Sequence, residues 1–144
     1  MRLIQRDFYL DKLKEVMGTP DIKVITGVRR SGKSKLLESF MAYVASSDEN
    51  ANVIHINFNL EIHENLMEHH ALNHYIENAY VNSKNNYVFI DEVQMCDGFE
   101  KAINSLHASE KYDIYITGSN AFLLSSDLAT LFTGRTFEIE VYPF

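Results

Sequence analysis

The residues best placed to do chemistry in this sequence lie in one run, Gly27-Val28-Arg29-Arg30-Ser31-Gly32-Lys33-Ser34. The run fits the P-loop pattern G-x-x-x-x-G-K-[ST] at every fixed position. Each fixed residue type has a physical reason. Glycines let the backbone bend tightly, so that successive N–H groups point inward at phosphate oxygens. A helix starting directly afterwards adds the partial positive charge of its N-terminus. Lys33 offers a mobile point charge to the β- and γ-phosphates, and Ser34 offers a hydroxyl to Mg²⁺. The candidate nucleotide-binding set is therefore Gly27, Val28, Arg29, Arg30, Ser31, Gly32, Lys33, Ser34 and Lys35. Arg29 and Arg30 are candidates for phosphate contact or for local ion pairs.

A second run, Tyr87-Val88-Phe89-Ile90-Asp91-Glu92, carries an apolar strand into two acids, which is a Walker B pattern. An apolar strand holds Asp91 at the edge of a sheet, where it can serve Mg²⁺ directly or through a water. Glu92, one residue on, falls beside the γ-phosphate, where a carboxylate can orient and polarise the attacking water. A third run, Ile114-Tyr115-Ile116-Thr117-Gly118-Ser119-Asn120, ends a strand in small polar residues. It matches the sensor position of additional-strand P-loop ATPases. Ser119 or Asn120 is the candidate for a hydrogen bond to the γ-phosphate or the water, although Gly-Ser-Asn is also ordinary turn chemistry. Arg135 follows Gly134 in a short loop. Its guanidinium is a candidate for stabilising charge on the transferring phosphoryl group, within the chain or from a neighbouring subunit; the alternative is a solvated arginine or a structural ion pair.

Other reactive residue types do not assemble. His70 and His74 are spaced for one helix face and His69 adjoins them, yet no Cys or carboxylate cluster completes a metal site by spacing. His63-Glu64 does not begin H-E-x-x-H, because Met67 stands at the closing position. The single cysteine, Cys96, reads as a free buried thiol.

The elements that must position these residues follow from periodicity. Apolar spacing predicts a helix over Asp7–Val16, with Phe8, Leu10, Leu13 and Val16 near one face. It then predicts a strand at Ile22–Thr26, a helix from Lys33 onward, a polar loop over Ser46–Asn52 and a strand at Val53–Phe58. A longer helix is expected over Ile62–Val81, with Leu66, Leu72, Ile76 and Ala79 as its inner face, then a turn over Lys84–Asn86. The continuous apolar run Tyr87–Ile90 suits a strand covered on both faces. A short helix around Phe99–Leu106, a strand at Ile114–Thr117, a helix over Ala121–Leu131 and a strand at Thr136–Tyr142 with one wetter face complete the chain. Strands alternating with helices predict an α/β fold of three layers: a P-loop NTPase fold with a central, mostly parallel five-stranded sheet of the additional-strand type. Ligands then gather at the carboxyl ends of the strands.

Composition bounds the function. The chain has 144 residues, 46% of them apolar, and a formal net charge of -7. That charge argues against strong non-specific nucleic-acid binding, which rests on clustered Lys and Arg. No run of apolar residues is long enough to span a membrane, and Gln5, Arg6 and Asp7 interrupt the start as no secretory signal would. The expected location is cytoplasmic.

These motifs resemble those of the predicted prokaryotic AAA-superfamily ATPases. The resemblance runs from Ile25 to Ser34, through Phe89-Ile90-Asp91-Glu92-Val93-Gln94 and Thr117-Gly118-Ser119-Asn120-Ala121, to Thr133-Gly134-Arg135 and Glu138 to Phe144. It implies an ATP-binding domain over residues 1–144, with the P-loop strand beside the sensor strand. It also implies that Ile4–Leu10 lies against the adenine. Family members normally continue past the Tyr142-Pro143-Phe144 that ends this sequence into a C-terminal domain of unknown function. The resemblance therefore implies an N-terminal fragment, served by that missing domain or a separate protein partner and capable of forming a homo-oligomer. The expected activity is Mg²⁺-dependent ATP hydrolysis; the alternative is an ATP-gated binding switch with little turnover of its own.

Overall fold

The apolar run at 87–90 forms the centre of a strand, β3 (Asn85–Asp91), in which every residue after Asn85 is buried. A strand buried on both faces needs a layer on each side, and the computed structural model supplies them. It describes residues 3–28, 32–119 and 136–142. In chain order the elements are α1 (Leu3–Val16), β1 (Ile22–Gly27), α2 (Lys33–Ser47), β2 (Ala51–Asn57), a 3-10 turn (Glu61–Leu66), α3 (His69–Ala79), β3, a second 3-10 turn (Val93–Met95), α4 (Phe99–Ala108), β4 (Tyr112–Gly118) and β5 (Thr136–Val141).

The five strands pair in the order β2-β3-β4-β1-β5, and every pairing is parallel. The expected mostly parallel sheet is thus wholly parallel across its described pairings. β4 lies between the P-loop strand β1 and the acid-bearing strand β3, as the additional-strand topology requires. Register aligns the carboxyl ends: Thr26 faces Gly118, Gly27 faces Val141, and Asn57 faces Asp91.

Alternation along the strands divides the core in two. Val24, Ile56, Val88, Ile90 and Ile116 face α3 and α4, packing on Leu72, Ile76, Phe99, Ile103 and Leu106. Ile25, Phe89, Tyr115 and Ile139 face α1 and α2, packing on Tyr9, Leu13, Leu36, Leu37, Phe40 and Val44. Phe40 anchors the second layer, with ring centroids 5.0 Å from Tyr115 and 6.2 Å from Phe89. Each such fully buried side chain contributes about 1.5–3 kcal/mol by burial.

Several boundaries differ from the periodicity reading. The helix expected over Ile62–Val81 is two pieces, because Glu68 leaves the helical path: it bridges Asp97 as an isolated parallel β-pair and its carboxylate caps α3 by accepting from the backbone N–H groups of His70 and Ala71. Among the residues of α1 whose burial is described, Tyr9 and Leu13, four apart, are buried, whereas Phe8 is 57% exposed, so the inner face is rotated from the expected one. The first helix also begins at Leu3. The expected loop at Ser46–Asn52 is shorter, since α2 runs to Ser47 and β2 begins at Ala51. Likewise the turn expected over Lys84–Asn86 gives way to β3 at Asn85. Asn86 is buried because both ends of its amide are satisfied, by Asn52, Val81 and Lys84. β5 has the wetter face expected, with Ile139 and Val141 buried and Glu138 and Glu140 exposed. The helix expected over Ala121–Leu131 lies outside the described residues.

Candidate nucleotide site

The carboxyl edge of the sheet brings the first three motifs together. β1 ends at the buried Gly27, and Val28 beyond it is 48% exposed. Across the loop, Gly32 adopts φ 94°, a left-handed conformation suited to glycine, and directly precedes α2. Leu36 N–H already bonds to Gly32 O. The earlier amides of that turn, on Lys33, Ser34 and Lys35, have no partner from a preceding helical turn, so they and the helix dipole are oriented for an anion. The side chain of Lys35 is turned outward, 3.8 Å from Glu38 on the exposed face of α2. Lys33 is instead only 4% exposed.

Lys33 Nζ lies 3.2 Å from Glu92 Oε1. Glu92 reaches it from the end of β3 through a sharp change of direction, with φ 58° and ψ 53°. A non-glycine residue in that region carries a cost of about 1–2 kcal/mol, the kind of local strain that collects at functional sites. The kink starts the turn Val93–Met95, closed by Met95 N–H to Glu92 O at 3.1 Å, and Val93 is fully buried beneath it. The other carboxylate oxygen, Glu92 Oε2, accepts from Gln94 Nε2.

Asp91 is 3% exposed and tied to the next strand. The Thr117 hydroxyl donates to Asp91 Oδ1 and accepts from the Glu92 backbone N–H at 2.9 Å. A single buried side chain on β4 therefore orients both acids. Sequence reasoning placed the third-motif contact at Ser119 or Asn120 and missed Thr117. The signal was a hydroxyl inside an otherwise apolar strand. Gln94 was also missed as a contact; its signal was an amide two residues beyond the second acid, within reach around a tight turn. Ser119 is half-buried just past β4. Arg29, Arg30, Ser31, Asn120 and Arg135 lie outside the described residues.

His63, set aside on sequence grounds, bonds the Asn57 backbone at the carboxyl end of β2, in register with Asp91. Cys96 is buried and free, and burial pushes its thiol up to about 12, which leaves it protonated and inert. Glu68, His69 and His70 offer ligand atoms within 4.8 Å of one another. The Glu68 carboxylate there is already engaged in capping α3, and the positive end of that helix disfavours a cation. His70 and His74 are exposed, as expected of a solvated face. Ile4–Leu10, implied to lie against the adenine, is part of α1, so beyond its first turn the N–H groups are directed along the helix.

A parallel five-stranded sheet with flanking helices, and a lysine at the start of α2 meeting an acid just past β3, define a P-loop NTPase domain. The sequence matches the AAA domain family over residues 19–144, and the chain belongs to that family. It is 40% identical over 143 residues to an uncharacterized protein of Haemophilus influenzae, covering 98% of this chain and 36% of that protein. It is 34% identical over 122 residues to an uncharacterized protein of Methanocaldococcus jannaschii, covering 85% of this chain and 26% of that one. The chain thus spans 36% and 26% of the lengths of these two curated relatives. Among solved structures it is similar to C. elegans PCH-2, with TM-score 0.65 and 13% identity over 100% of this chain and 44% of that one. It is also similar to AMPPCP-bound DnaA from Aquifex aeolicus, with TM-score 0.60 and 17% identity over 93% of this chain and 44% of that chain. At these identities the likeness is one of fold. No helix among the described residues is long and apolar enough to cross a membrane.

Proposed function

We propose that this domain binds Mg²⁺-ATP and hydrolyses its β–γ bond. The observation that carries the reading is the convergence of Lys33, Asp91 and Glu92 on one edge of the sheet, with Thr117 holding the acids in place. Lys33 and the first-turn amides of α2 bind the β- and γ-phosphates. Glu92 accepts a proton from water as the water oxygen bonds to the γ-phosphorus and the bridging oxygen leaves with ADP. Asp91 and Ser34 are the residues that would hold the cation. Both offer hard oxygens, a carboxylate and a hydroxyl, which suit Mg²⁺. When bound, Mg²⁺ supplies charge neutralisation at the phosphates. Family membership and the AMPPCP-bound state of a structurally similar DnaA support a nucleotide as the ligand. In this reading the domain works in the cytoplasm, drives a further domain or partner, and draws on Arg135 and Ser119 or Asn120 at the γ-phosphate, with Arg135 acting within the chain or across a homo-oligomer.

A second reading, an ATP-gated switch with slow turnover, is favoured by one observation: both carboxylate oxygens of Glu92 are engaged, one by Lys33 and one by Gln94. Nucleotide binding and phosphate release by the wild type, Lys33→Ala and Glu92→Gln separate the readings. Hydrolysis predicts that Lys33→Ala weakens binding, while Glu92→Gln binds and loses turnover by about 10²–10⁴-fold. Tight binding by the wild type without phosphate release, also in a C-terminally extended protein, makes the domain a switch. ATP binding by Lys33→Ala equal to the wild type sinks both.

A further inference from the structure

Gln94 stands outside the three motifs, yet its amide touches the candidate base. Nε2 donates to Glu92 Oε2, while its own Oε1 is buried without a hydrogen-bond partner. Leaving a buried acceptor unsatisfied costs about 1–3 kcal/mol, so an amide free to choose would turn to avoid it. Here the choice is constrained. Reversing the amide would set its carbonyl against the Glu92 carboxylate, acceptor against acceptor. The orphaned oxygen is therefore the accompaniment of holding a donor on Glu92. The platform beneath is firm, because Gln94 is in the tight turn Val93–Met95, whose Val93 is fully buried.

The two partners of Glu92 differ in what else they can bind. Lys33 is a point charge that a phosphate can draw away from Oε1. Gln94 is a neutral amide two residues from Glu92 along the chain, with no such competing pull. We infer that Gln94 is a positioning residue for Glu92: it keeps Oε2 when Lys33 turns to a phosphate, leaving Oε1 as the oxygen open to the proton of the attacking water. This rests on the hydrolytic reading above. The proton passes from water to Glu92 Oε1 as the water oxygen bonds to the γ-phosphorus and ADP departs. Gln94 neither gives nor takes a proton. It limits the rotation of the carboxylate, and the gain is orientation.

The test is a cycle of wild type, Q94M, E92Q and the double variant Q94M/E92Q, with Mg²⁺-ATP affinity, steady-state kcat and KM, and single-turnover phosphate release measured for each. Methionine keeps the length and removes the donor. Q94E, of the same shape, guards against a packing defect and sets a second carboxylate against the first. The expected result is about a tenfold lower kcat for Q94M, a fraction of the ~10²–10⁴-fold that the base itself supplies. KM and affinity stay unchanged, Q94E loses more than Q94M, and Q94M adds no further loss on the E92Q background. Wild-type turnover by Q94M and Q94E overturns the assignment alone, as does a full tenfold loss by Q94M on the E92Q background. Absence of hydrolysis by the wild type overturns the hydrolytic reading and this assignment with it.

Discussion

At the amino end of β1, Lys23 is fully buried and its Nζ donates to Asp113 Oδ1 and to Thr19 O, each at 2.6 Å. Asp113 Oδ2 in turn accepts from Gly18 N–H at 2.9 Å and from the Tyr115 hydroxyl at 2.7 Å, and the Tyr115 ring lies 5.3 Å from the ammonium. At the carboxyl edge of the same sheet Lys33 meets Glu92 at the longer distance of 3.2 Å, with Glu92 18% exposed. There the backbone is strained at Glu92 and the neighbouring Gln94 keeps a bare carbonyl. Chemically the pairs are alike. The first has its ionic oxygens and its ammonium met by fixed neighbours, which makes it a joint between β1 and β4. On the proposed reading, the second holds a lysine that a phosphate can recruit. A buried charge with every partner in place stabilises; one with an exchangeable partner is available for binding.

The largest effect that would break this contrast is on stability. Asp113→Ala leaves Lys23 buried with no counter-ion and should lower unfolding free energy by about 3–5 kcal/mol, measured by urea denaturation. Lys33→Ala should stay within about 1 kcal/mol of wild type, because Glu92 reaches solvent. Equal losses for the two variants would erase the distinction. Next is ligand affinity. Lys33→Ala should weaken Mg²⁺-ATP by about 100-fold, which is about 2.7 kcal/mol, in a calorimetric titration. A joint-breaking variant that still folds should bind normally.

Thr117→Val comes third. It removes the hydroxyl that serves Asp91 and leaves the Glu92 N–H without a partner. A cost of about 1–3 kcal/mol is expected, with lower phosphate release, and Thr117→Ser should recover most of both. Failure of the serine to rescue would show that the methyl group, not the hydroxyl, matters. The smallest effect concerns Asp48, beside the amino ends of β2 and β3. Hydrogen bonds from Asn85, then Tyr87 and the Asn50 N–H, hold its carboxyl below the ordinary carboxylate range. A depressed carboxyl contributes stability above its unfolded pKa and loses it as pH falls through the folded value. Below about pH 4 the wild type should therefore lose Tm more steeply than Asp48→Asn, whose amide does not titrate. Parallel melting curves down to pH 2 would remove Asp48 from the set of structural ionic contacts.

The sequence made the sheet legible because strands buried on both faces read as unbroken apolar runs. Tyr87–Ile90 and Ile114–Thr117 lie in β3 and β4. The P-loop strand beside the sensor strand was implied by the family resemblance, and β1 pairs with β4. Local periodicity failed where a long-range contact decided the outcome. Nothing near Glu68 announces its pairing with Asp97, and the turn of α1 that faces the core is set by where Tyr9 meets Tyr142 N–H, 3.3 Å away on the far side of the sequence. The site divides the same way. Lys33 and Glu92 belong to separate motifs and lie together in space. Thr117 and Gln94 lie within runs legible in the sequence, but their contacts were not, since a hydroxyl or an amide gains its role only from the register or turn that delivers it.

The strand order also bears on how the protein comes off the ribosome. Of the described strands β1 comes first in the chain, yet its partners are β4 and β5, the last two of those described. At about 5–20 residues per second, the nascent chain carries β1 unpaired for about ten seconds before Tyr112 is added. β2 and β3 can zip together well before then. Within this domain the loop after β1 is thus made before the strands that flank it, so on the proposed reading a bound phosphate acts only after β4 and β5 have joined β1. Any chaperone that attends this chain has most reason to hold the stretch around Ile22 to Gly27.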